Sequence, residues 1–508
     1  MRILLVYPEM PDTFYALRHF IELAGKKAAF PPLGLLTVAA LLPENWDKKL
    51  IDLNIENLTD NALKNTDYVF LSAMNVQEES VRNVIAKSKK AGVKVVAGGP
   101  LFTHEFERSP EVDHFILNEA EITLQQFIDD VNKQHPQKFY TSKQFADVSQ
   151  SPIPLFHLAD MKKYLYAIVQ YSRGCPYLCD FCDVTALFGR KPRVKSPTQI
   201  IRELEALIHN KNVQLILFAD DNLIGNKRVL KAELLPALIE WRRQKNPAFY
   251  FATQLTVNLA DDAELMHLMA EAGFRHIFIG IETPDEESLK VSHKNQNLKR
   301  NLLNTIHQIH ANGFIISGGF IVGFDTDTEK SFSQMHQFIQ KSGIPLPIVN
   351  ILKAPPGTEL FDRMKKENRL VKDFAFEEGD TNISPTMGEE ALLKGFLKVI
   401  DHIYPPQYSI KRIKTFLTQY QYPKVTVKVS AQWSMVQLPQ LIKIFWKLSI
   451  TDPNRKYFWN LMIWAAKRSH KLIDKAFFYG MMMYQMHQTY LHIKNQVENR
   501  LQTIKTEI

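Results

Sequence analysis

Cysteine is almost missing from this sequence. Among 508 residues there are three, too few for a disulfide framework, and the thiols point to a reducing compartment. No apolar run approaches the ~20 residues a membrane-spanning helix needs; the nearest, Ala476 to Met486, is too short. No signal pattern is seen at the start, where Met1-Arg2 leads straight into the strand-like Ile3-Leu4-Leu5-Val6-Tyr7. No G-x-G-x-x-G opens the first helix, which weighs against a dinucleotide site. No RNA-binding module is recognised, so nucleic acid is not the expected partner. The chain reads as cytoplasmic.

All the cysteine present lies in one stretch, Arg173-Gly174-Cys175-Pro176-Tyr177-Leu178-Cys179-Asp180-Phe181-Cys182, spaced C-x3-C-x2-C. Three thiolates in one short loop can hold three irons of a cubane 4Fe–4S cluster and leave the fourth open to a small bidentate ligand. Zinc is an alternative, but a structural zinc site wants a fourth ligand, and His209 and the other histidines are far off in sequence. Three unrelated buried thiols are the bland alternative.

The spacing, the Arg173-Gly174-Cys175-Pro176 flank and Phe181 resemble the radical S-adenosylmethionine (radical SAM) superfamily. The resemblance implies that Cys175, Cys179 and Cys182 bind the cluster. It also implies that S-adenosylmethionine binds the open iron and is cleaved reductively to a 5′-deoxyadenosyl radical. An electron donor of flavodoxin or ferredoxin type would serve it.

The length suggests about three domains. Residues 1–140 alternate strand and helix, as in a parallel sheet with helices on both faces. The strands read as Ile3–Tyr7, Lys49–Leu53, Tyr68–Ala73, Val93–Ala97 and Asp113–Leu117, with helices from Phe30 to Leu42 and Glu78 to Ala91. Ligands in such sheets sit beyond the carboxyl ends of the strands, here at Pro8, Asn54, Ser72 to Asn75, Gly98 to Pro100 and Asn118 to Glu121. Pro31-Pro32-Leu33-Gly34, Gly98-Gly99-Pro100 and Glu119-Ala120-Glu121 resemble the cobalamin-binding domain found ahead of many radical SAM domains. That resemblance implies cobalamin near Pro32, Gly34, Asn54, Ser72, Asn75, Gly98, Gly99 and Glu119. Asp-x-His-x-x-Gly is missing, and the resemblance implies cobalt without a protein histidine below it. His104 is read as a loop histidine or a cobalt neighbour. The alternative is a degenerate sheet that only packs against the next domain.

Residues 141–164, with Ser151-Pro152-Ile153-Pro154, read as a linker. Residues 165–370 then repeat strand and helix about six times. The strands are Tyr166–Ser172, Val213–Ala219, Phe249–Thr256, His276–Ile281, Phe314–Val322 and Pro347–Leu352; helices start near Ser196, Asn226, Asp262, Asn297, Glu329 and Glu359. Six units fit the open partial barrel of the radical SAM superfamily. Barrel sites lie at the carboxyl ends of strands, and the cysteine loop follows the first strand. By the same resemblance, Phe181 and the strand from Gly319 to Gly323 would line the adenine, and Asp220-Asp221 would meet the methionine amine. Gln254 and Glu282 would serve ribose or substrate. Each of these side chains also has a plain structural reading, as a cap or a loop brace. Arg190, Lys191 and Arg193 read as a cluster shield, a phosphate contact or a solvated loop.

Residues 371–508 read as mainly helical after a loop from Glu377 to Met387, with helices at Glu389–Ile403, Pro406–Tyr420, Leu438–Leu448, Arg455–Ser469 and Leu472–Val497. Residues 401–508 carry a net charge of +11 out of +8 for the whole chain, which leaves −3 before them. Lys443, Lys447, Arg455, Lys456, Lys467, Arg468, Lys471 and Lys475 interleave with Trp433, Trp446, Trp459 and Trp464. That pattern suits either a helical cap with an aromatic core stripe or an interfacial helix on anionic lipid, at the inner face of a membrane.

Gln170-Tyr171-Ser172-Arg173, Phe188-Gly189-Arg190-Lys191-Pro192-Arg193, Asp220-Asp221-Asn222-Leu223, Gly280-Ile281-Glu282-Thr283-Pro284 and Gly323-Phe324-Asp325-Thr326-Asp327 complete the pattern. The whole resembles cobalamin-binding radical SAM proteins with a helical C-terminal extension, among them hopanoid C-2 methylases. The implied fold is α/β: a doubly wound Rossmann-like cobalamin domain, a partial (β/α)6 barrel and a helical extension. With no cysteine beyond the loop, no protein thiol is left to carry a methyl group, and cobalamin supplies the alternative carrier. The expected function is methylation of an unactivated carbon on a hydrophobic small molecule or lipid. A radical cyclase or rearrangement enzyme, or a non-catalytic iron–sulfur or cobalamin sensor, is the alternative. No catalytic side chain can be named from the sequence.

Overall fold

Ile3-Leu4-Leu5-Val6 is a continuous apolar run, the mark of a parallel strand buried on both faces, and the computed structural model buries it within β1 (Arg2–Tyr7). The structure describes residues 1–14, 16–208, 213, 215–374, 379–422 and 438–507. The chain divides into two units: residues 1–11, 27–176 and 183–221, and residues 12–26, 177–182 and 222–508.

In the first unit, β1 lies in a parallel sheet with β2 (Asp47–Asp52), β3 (Tyr68–Ser72), β4 (Lys94–Gly98), β5 (His114–Ile116) and β6 (Phe139–Tyr140), in the order β2-β1-β3-β4-β5-β6. Five strands are those expected; the two-residue β6 was not anticipated. Leu4, Val6, Val69, Leu71, Val95 and Ala97 alternate onto one face, against Val81, Val84 and Ile85 of the helix Glu78–Lys90. On the other face Phe70 meets Phe127 of the helix Ala120–Asn132 at 5.9 Å between ring centroids. Helices therefore cover both faces, and the order reverses at β1/β3, the switch point that favours a ligand crevice. The helix expected from Phe30 starts at Leu33, because Pro31 and Pro32 hold the chain extended before it.

The first unit also contains β7 (Ala167–Val169) and β10 (Leu215–Phe218), a parallel pair. The strand expected from Tyr166 to Ser172 is broken. Its last residue, Ser172, opens β8 (Ser172–Arg173), which pairs antiparallel with β9 (Arg193–Val194). The cause is Asp220, whose carboxylate accepts the backbone N–H groups of Tyr171 and Ser172 and the Ser172 hydroxyl, so these groups leave the ladder.

In the second unit, β11 (Tyr250–Leu255), β12 (Phe274–Glu282), β13 (Ile315–Val322) and β14 (Leu346–Ile351) run parallel in the order β14-β13-β12-β11. Helices follow each strand at Ala263–Ala272, Leu302–Ala311, Glu329–Ser342 and Glu359–Lys366. Asp262, Asn301 and Thr358 cap three of them by accepting N–H groups three residues on. The six central strands are the six expected.

The helices Glu389–Ile400, Pro406–Gln419, Leu438–Trp446, Arg455–Arg468 and Ile473–Glu507 follow. The last runs ten residues past its expected end, since no glycine or proline stops it. Trp433 and the start of the loop expected from Glu377 lie outside the described residues. No helix among the described residues is long and apolar enough to cross a membrane.

Candidate active site

In the first unit the cysteine loop is anchored from its N-terminal side. Gly174 has φ +96°, and a Cβ there would meet three carbonyl oxygens, those of Phe188, Gly189 and Lys191, at 2.9–3.1 Å. Only glycine fits this approach. Cys175 N–H donates to the Gly189 carbonyl at 3.2 Å. Asp221 accepts the Gly174 N–H at 3.0 Å. Burial pushes the Asp220 carboxyl up to about 7 and the Asp221 carboxyl up to about 6, against the hydrogen bonds each accepts.

Arg173, just before this turn, is held by two carboxylates. Its guanidinium donates to Glu119 at 2.9 Å and to Glu121 at 2.7 and 3.1 Å, and its Nε donates to Gln170 at 2.9 Å. Arg193 donates to both Glu119 oxygens at 2.9 Å, and Glu119 also accepts the Ala146 N–H at 2.8 Å. Of the three basic residues after the cysteine loop, Arg193 is committed to this network, while Arg190 and Lys191 are exposed.

Beyond the carboxyl ends of β3 and β4 lies a recess of about 390 Å3, including its open mouth. Leu35, Val38, Phe70 and Leu124 supply apolar walls, and Ser72, Gly98, Gly99, Asn118 and Ala120 the rim. Gly99 has φ +91°, and a Cβ on it would stand 2.8 Å from Ser72 Oγ; a Cβ on Gly98 would stand 2.6 Å from the Ile116 carbonyl oxygen. Gly34 is exposed on the Leu33–Leu41 helix, with no atom within 4 Å of where its Cβ would be. Gly98 and Gly99 thus keep the rim free of side chains, which fits the close approach of a bulky cofactor, whereas Gly34 is not among the lining residues.

The remaining residues expected here are placed differently. Pro32 ends the extended entry to the helix. Asn54 braces a loop: its amide donates to Asp52 at 2.7 Å and to the Pro8 carbonyl at 3.3 Å, and it accepts the Met10 N–H at 2.8 Å. Asn75 keeps a buried Oδ1 without a hydrogen-bond partner. Glu119 is buried on Arg173 and Arg193, and its neighbours Asn118 and Ala120, not Glu119, line the recess. His104 is not among the lining residues; its Nε2 is buried without a hydrogen-bond partner, and burial holds the ring below its ordinary pKa.

In the second unit, Gln296 donates an amide N–H to Cys179 Sγ at 3.6 Å. Lys294 Nζ pairs with Glu282 Oε1 at 2.6 Å and lies 5.8 Å from the centre of the Phe181 ring. Glu282 sits at φ +63°, where the β12–β13 register shifts; such a bulge re-aims the side chain at a strand end. Phe181 also meets Phe324 edge-on at 6.4 Å. Asp180 pairs with Arg363 at 3.1 Å. A Cβ on Gly319 would stand 2.9 Å from the Phe278 ring. Gly323 donates its N–H to Asp327 at 2.7 Å. Gln254 is exposed on β11.

Structure thus brings Phe181 and Glu282 together around Lys294, a residue sequence reasoning missed. Gln296 was missed as well. Both lie in Ser292-His293-Lys294-Asn295-Gln296, a polar run after a short helix that carries no recognisable motif. Asn222 follows Asp221 with both amide atoms buried and without hydrogen-bond partners.

The three cysteines form no disulfide and are half-buried. No three His, Cys, Asp or Glu side chains among the described residues converge as ligands of one metal ion; thiolates around a four-iron cubane stand further apart than that. Three soft sulfurs within one eight-residue stretch of sequence suit such a cluster by their chemistry, and Cys179 has an amide donor at 3.6 Å.

Three family descriptions match the chain: B12 binding domain over residues 26–128, Radical SAM superfamily over 169–339, and Domain of unknown function (DUF4070) over 358–501. The chain is 36% identical to the uncharacterized methyltransferase sll1242 of Synechocystis sp. over 91% of its own length and 86% of that protein. It is 33% identical to the hopanoid C-2 methylase of Rhodopseudomonas palustris over 91% of its length and 89% of that protein. Its fold matches the cobalamin-dependent S-adenosylmethionine radical enzyme OxsB, with aqua-cobalamin and S-adenosylmethionine bound, at a TM-score of 0.61 and 16% identity, over 99% of this chain and 83% of that one. The chain therefore belongs to the cobalamin-dependent radical SAM methyltransferase family, an α/β enzyme with a 4Fe–4S cluster, S-adenosylmethionine and cobalamin as its cofactors.

Proposed function

We propose that this enzyme methylates an unactivated carbon of a hydrophobic, polycyclic lipid, a substrate of the hopanoid kind. The observation that carries methyl transfer by way of a cofactor is the cysteine count: the three cysteines of the C-x3-C-x2-C loop are the only ones in the chain. No protein thiol is left to relay a methyl group, and the chain has a B12 binding domain. The lipid reading rests on the 33% identity with the R. palustris hopanoid C-2 methylase. Cobalamin, when bound, supplies the methyl group, and the cluster with S-adenosylmethionine supplies the radical that activates the carbon.

Cys175, Cys179 and Cys182 hold the cluster in this reading. Gln296, donating to Cys179, and the buried Lys294 cation temper the charge on the thiolates. Asp220 is spent on bracing the strand end, which leaves Asp221 the better of the two carboxylates for the S-adenosylmethionine amine. Glu282, fixed by Lys294, and Phe181 beside it serve ribose and adenine. Ser72, Gly98 and Gly99 admit cobalamin at the rim of the recess, and Gly34 lies on the helix that walls it. A flavodoxin- or ferredoxin-type protein supplies the electron, and a peripheral position at a membrane's inner face suits a lipid substrate.

The test is comparative mass spectrometry of lipid extracts with and without the gene. A species heavier by one methylene, present only with the gene, is the expected result. A product of unchanged mass would instead assign a cyclase or rearrangement. Anaerobic reconstitution with S-adenosylmethionine and a strong reductant should release 5′-deoxyadenosine, and none would be formed by a sensor.

A further inference from the structure

The helices Leu438–Trp446 and Arg455–Arg468 break the usual rule for a surface helix. Each already has a core-facing stripe: Ile444 and Leu448 along the first helix and its continuation, and Phe458, Leu461 and Ala465 on the second, are buried. Yet large apolar side chains also face solvent. Ile442 is 60% exposed, Trp446 58% and Ile463 51%, with Phe445, Ile450 and Trp459 above 40%. On the first helix Ile442, Phe445 and Trp446 share one face by their spacing. Trp459 and Ile463 share a face of the second, one turn apart. The two sets join where the Phe445 and Trp459 rings meet edge-on at 5.8 Å. Trp459 Nε1 donates to the Ser449 carbonyl at 3.0 Å, so its one polar group is satisfied internally and the edge left outside is apolar.

The charge around this patch has one sign. Between residues 438 and 471 the single acidic residue is Asp452, and it is buried. Lys443, Arg455, Lys456 and Lys467 are exposed beside the apolar residues. Tryptophan and phenylalanine flanked by lysine and arginine is the composition that settles at a bilayer interface, rings among the acyl boundary and cations at the headgroups. A second copy of the chain is a poor occupant, because a symmetric contact would set these cations against their own copies. No described helix can span a bilayer, so the element would lie in the surface plane.

We propose that this face docks the enzyme on the surface of an anionic phospholipid bilayer, with Ile442, Phe445, Trp446, Ile450, Trp459 and Ile463 inserted and the surrounding lysines and arginines on the headgroups. The surface complements the lipid-substrate reading and does not depend on it, since vesicles without substrate test it alone.

The experiment is co-sedimentation of the anaerobically purified full-length holoenzyme with vesicles. One set contains phosphatidylglycerol and phosphatidylcholine, the other phosphatidylcholine only. The enzyme is expected to pellet with the anionic set, less so as salt rises, and to stay in solution with the other. Ile442→Ser/Trp446→Ser should weaken binding about tenfold, with circular dichroism, iron and cobalamin content unchanged. Lys443→Glu/Lys456→Glu should do the same while the apolar residues remain. Binding that survives both double substitutions overturns the proposal, as does no binding at low salt. A concentration-dependent dimer abolished by Ile442→Ser/Trp446→Ser would assign the face to a second copy. Salt-sensitive binding to tRNA with none to vesicles would assign it to nucleic acid.

Discussion

Nζ of Lys294 lies 2.6 Å from Oε1 of Glu282, with each side chain only 9% exposed. Burial alone would pull the ammonium down, but Glu282 and the sulfurs of Cys179 and Cys182 more than offset it and hold Lys294 above its ordinary value. A cation kept charged beside two thiolates stabilises the added electron of a reduced cluster, because net charge near the sulfurs sets cluster potential. Lys294→Met should therefore lower the cluster midpoint potential in an EPR-monitored titration. It should also cost about 3–5 kcal/mol, because Glu282 is left buried and unpaired. Lys294→Met/Glu282→Gln should recover most of the stability and part of the potential, since it removes one charge of each sign. A potential that does not move in either variant would limit Lys294 to holding Glu282.

Glu119 stands between two guanidiniums, 2.9 Å from Arg173 and 2.9 Å from Arg193. Arg173 precedes the Gly174 turn, so this carboxylate fixes the entry to the cysteine loop. Glu119→Gln should cost about 3 kcal/mol, since two half-buried guanidiniums lose their shared charge. It should reduce the iron retained per chain after anaerobic reconstitution. Cobalamin loading of the folded fraction should stay unchanged. A selective fall in cobalamin, with iron intact, would return Glu119 to the cobalamin site.

Both carboxylates of the Glu119-Ala120-Glu121 stretch can be seen in the sequence, but their partners cannot. Arg173 lies 54 and 52 residues further on and Arg193 lies 74 residues from Glu119, and no local pattern reports a pair closed by tertiary folding. Strands were legible where apolar runs are long, as in Ile3–Tyr7 and Ile315–Val322, and helix starts where a polar cap marks them, as at Asp262. The break after Val169 was not legible. Gln170-Tyr171-Ser172 continues an acceptable β pattern, and only Asp220, some 48 residues on, draws its N–H groups away. The cysteine loop was legible because its chemistry is local. Lys294 and Gln296 were not, because their role comes from burial beside it.

Gly34 lies on the Leu33–Leu41 helix, whose Leu35 and Val38 line the recess. Nothing lies within 4 Å of the position its Cβ would take, and it is near the start of a helix. Gly34→Ala should stabilise the cobalamin-free protein by about 0.5 kcal/mol through helix propensity. Gly34→Phe should leave the cobalamin-free protein folded but cut its cobalamin loading, because the ring would rise from the helix that walls the recess. Gly99→Ala is the opposite case: φ +91° and Ser72 Oγ at 2.8 Å make it destabilising by about 1–3 kcal/mol with or without cofactor. Absorbance of bound cobalamin after reconstitution, with thermal melts of the apo-protein, separates the two. Full loading of Gly34→Phe would place the cofactor elsewhere.

His310 sets a pH limit on the second unit. Its ring is fully buried, Nδ1 is 3.4 Å from Gln419 Oε1, and Nε2 has no hydrogen-bond partner. Burial, opposed by the Gln419 hydrogen bond and aided by His307, pushes its pKa down to about 3 from 6.5. The native state therefore holds the neutral ring while the unfolded chain protonates it. Its contribution is complete above pH 6.5 and is lost as pH falls toward 3, because the unfolded state binds more protons across that window. Near 1.4 kcal/mol per unit, about 2 kcal/mol goes between pH 7 and 5. Urea melts of the wild type at these two pH values should differ by that amount beyond the loss seen in His310→Phe, which has no group to titrate there. Equal losses in the two proteins would remove His310 from the acid limb.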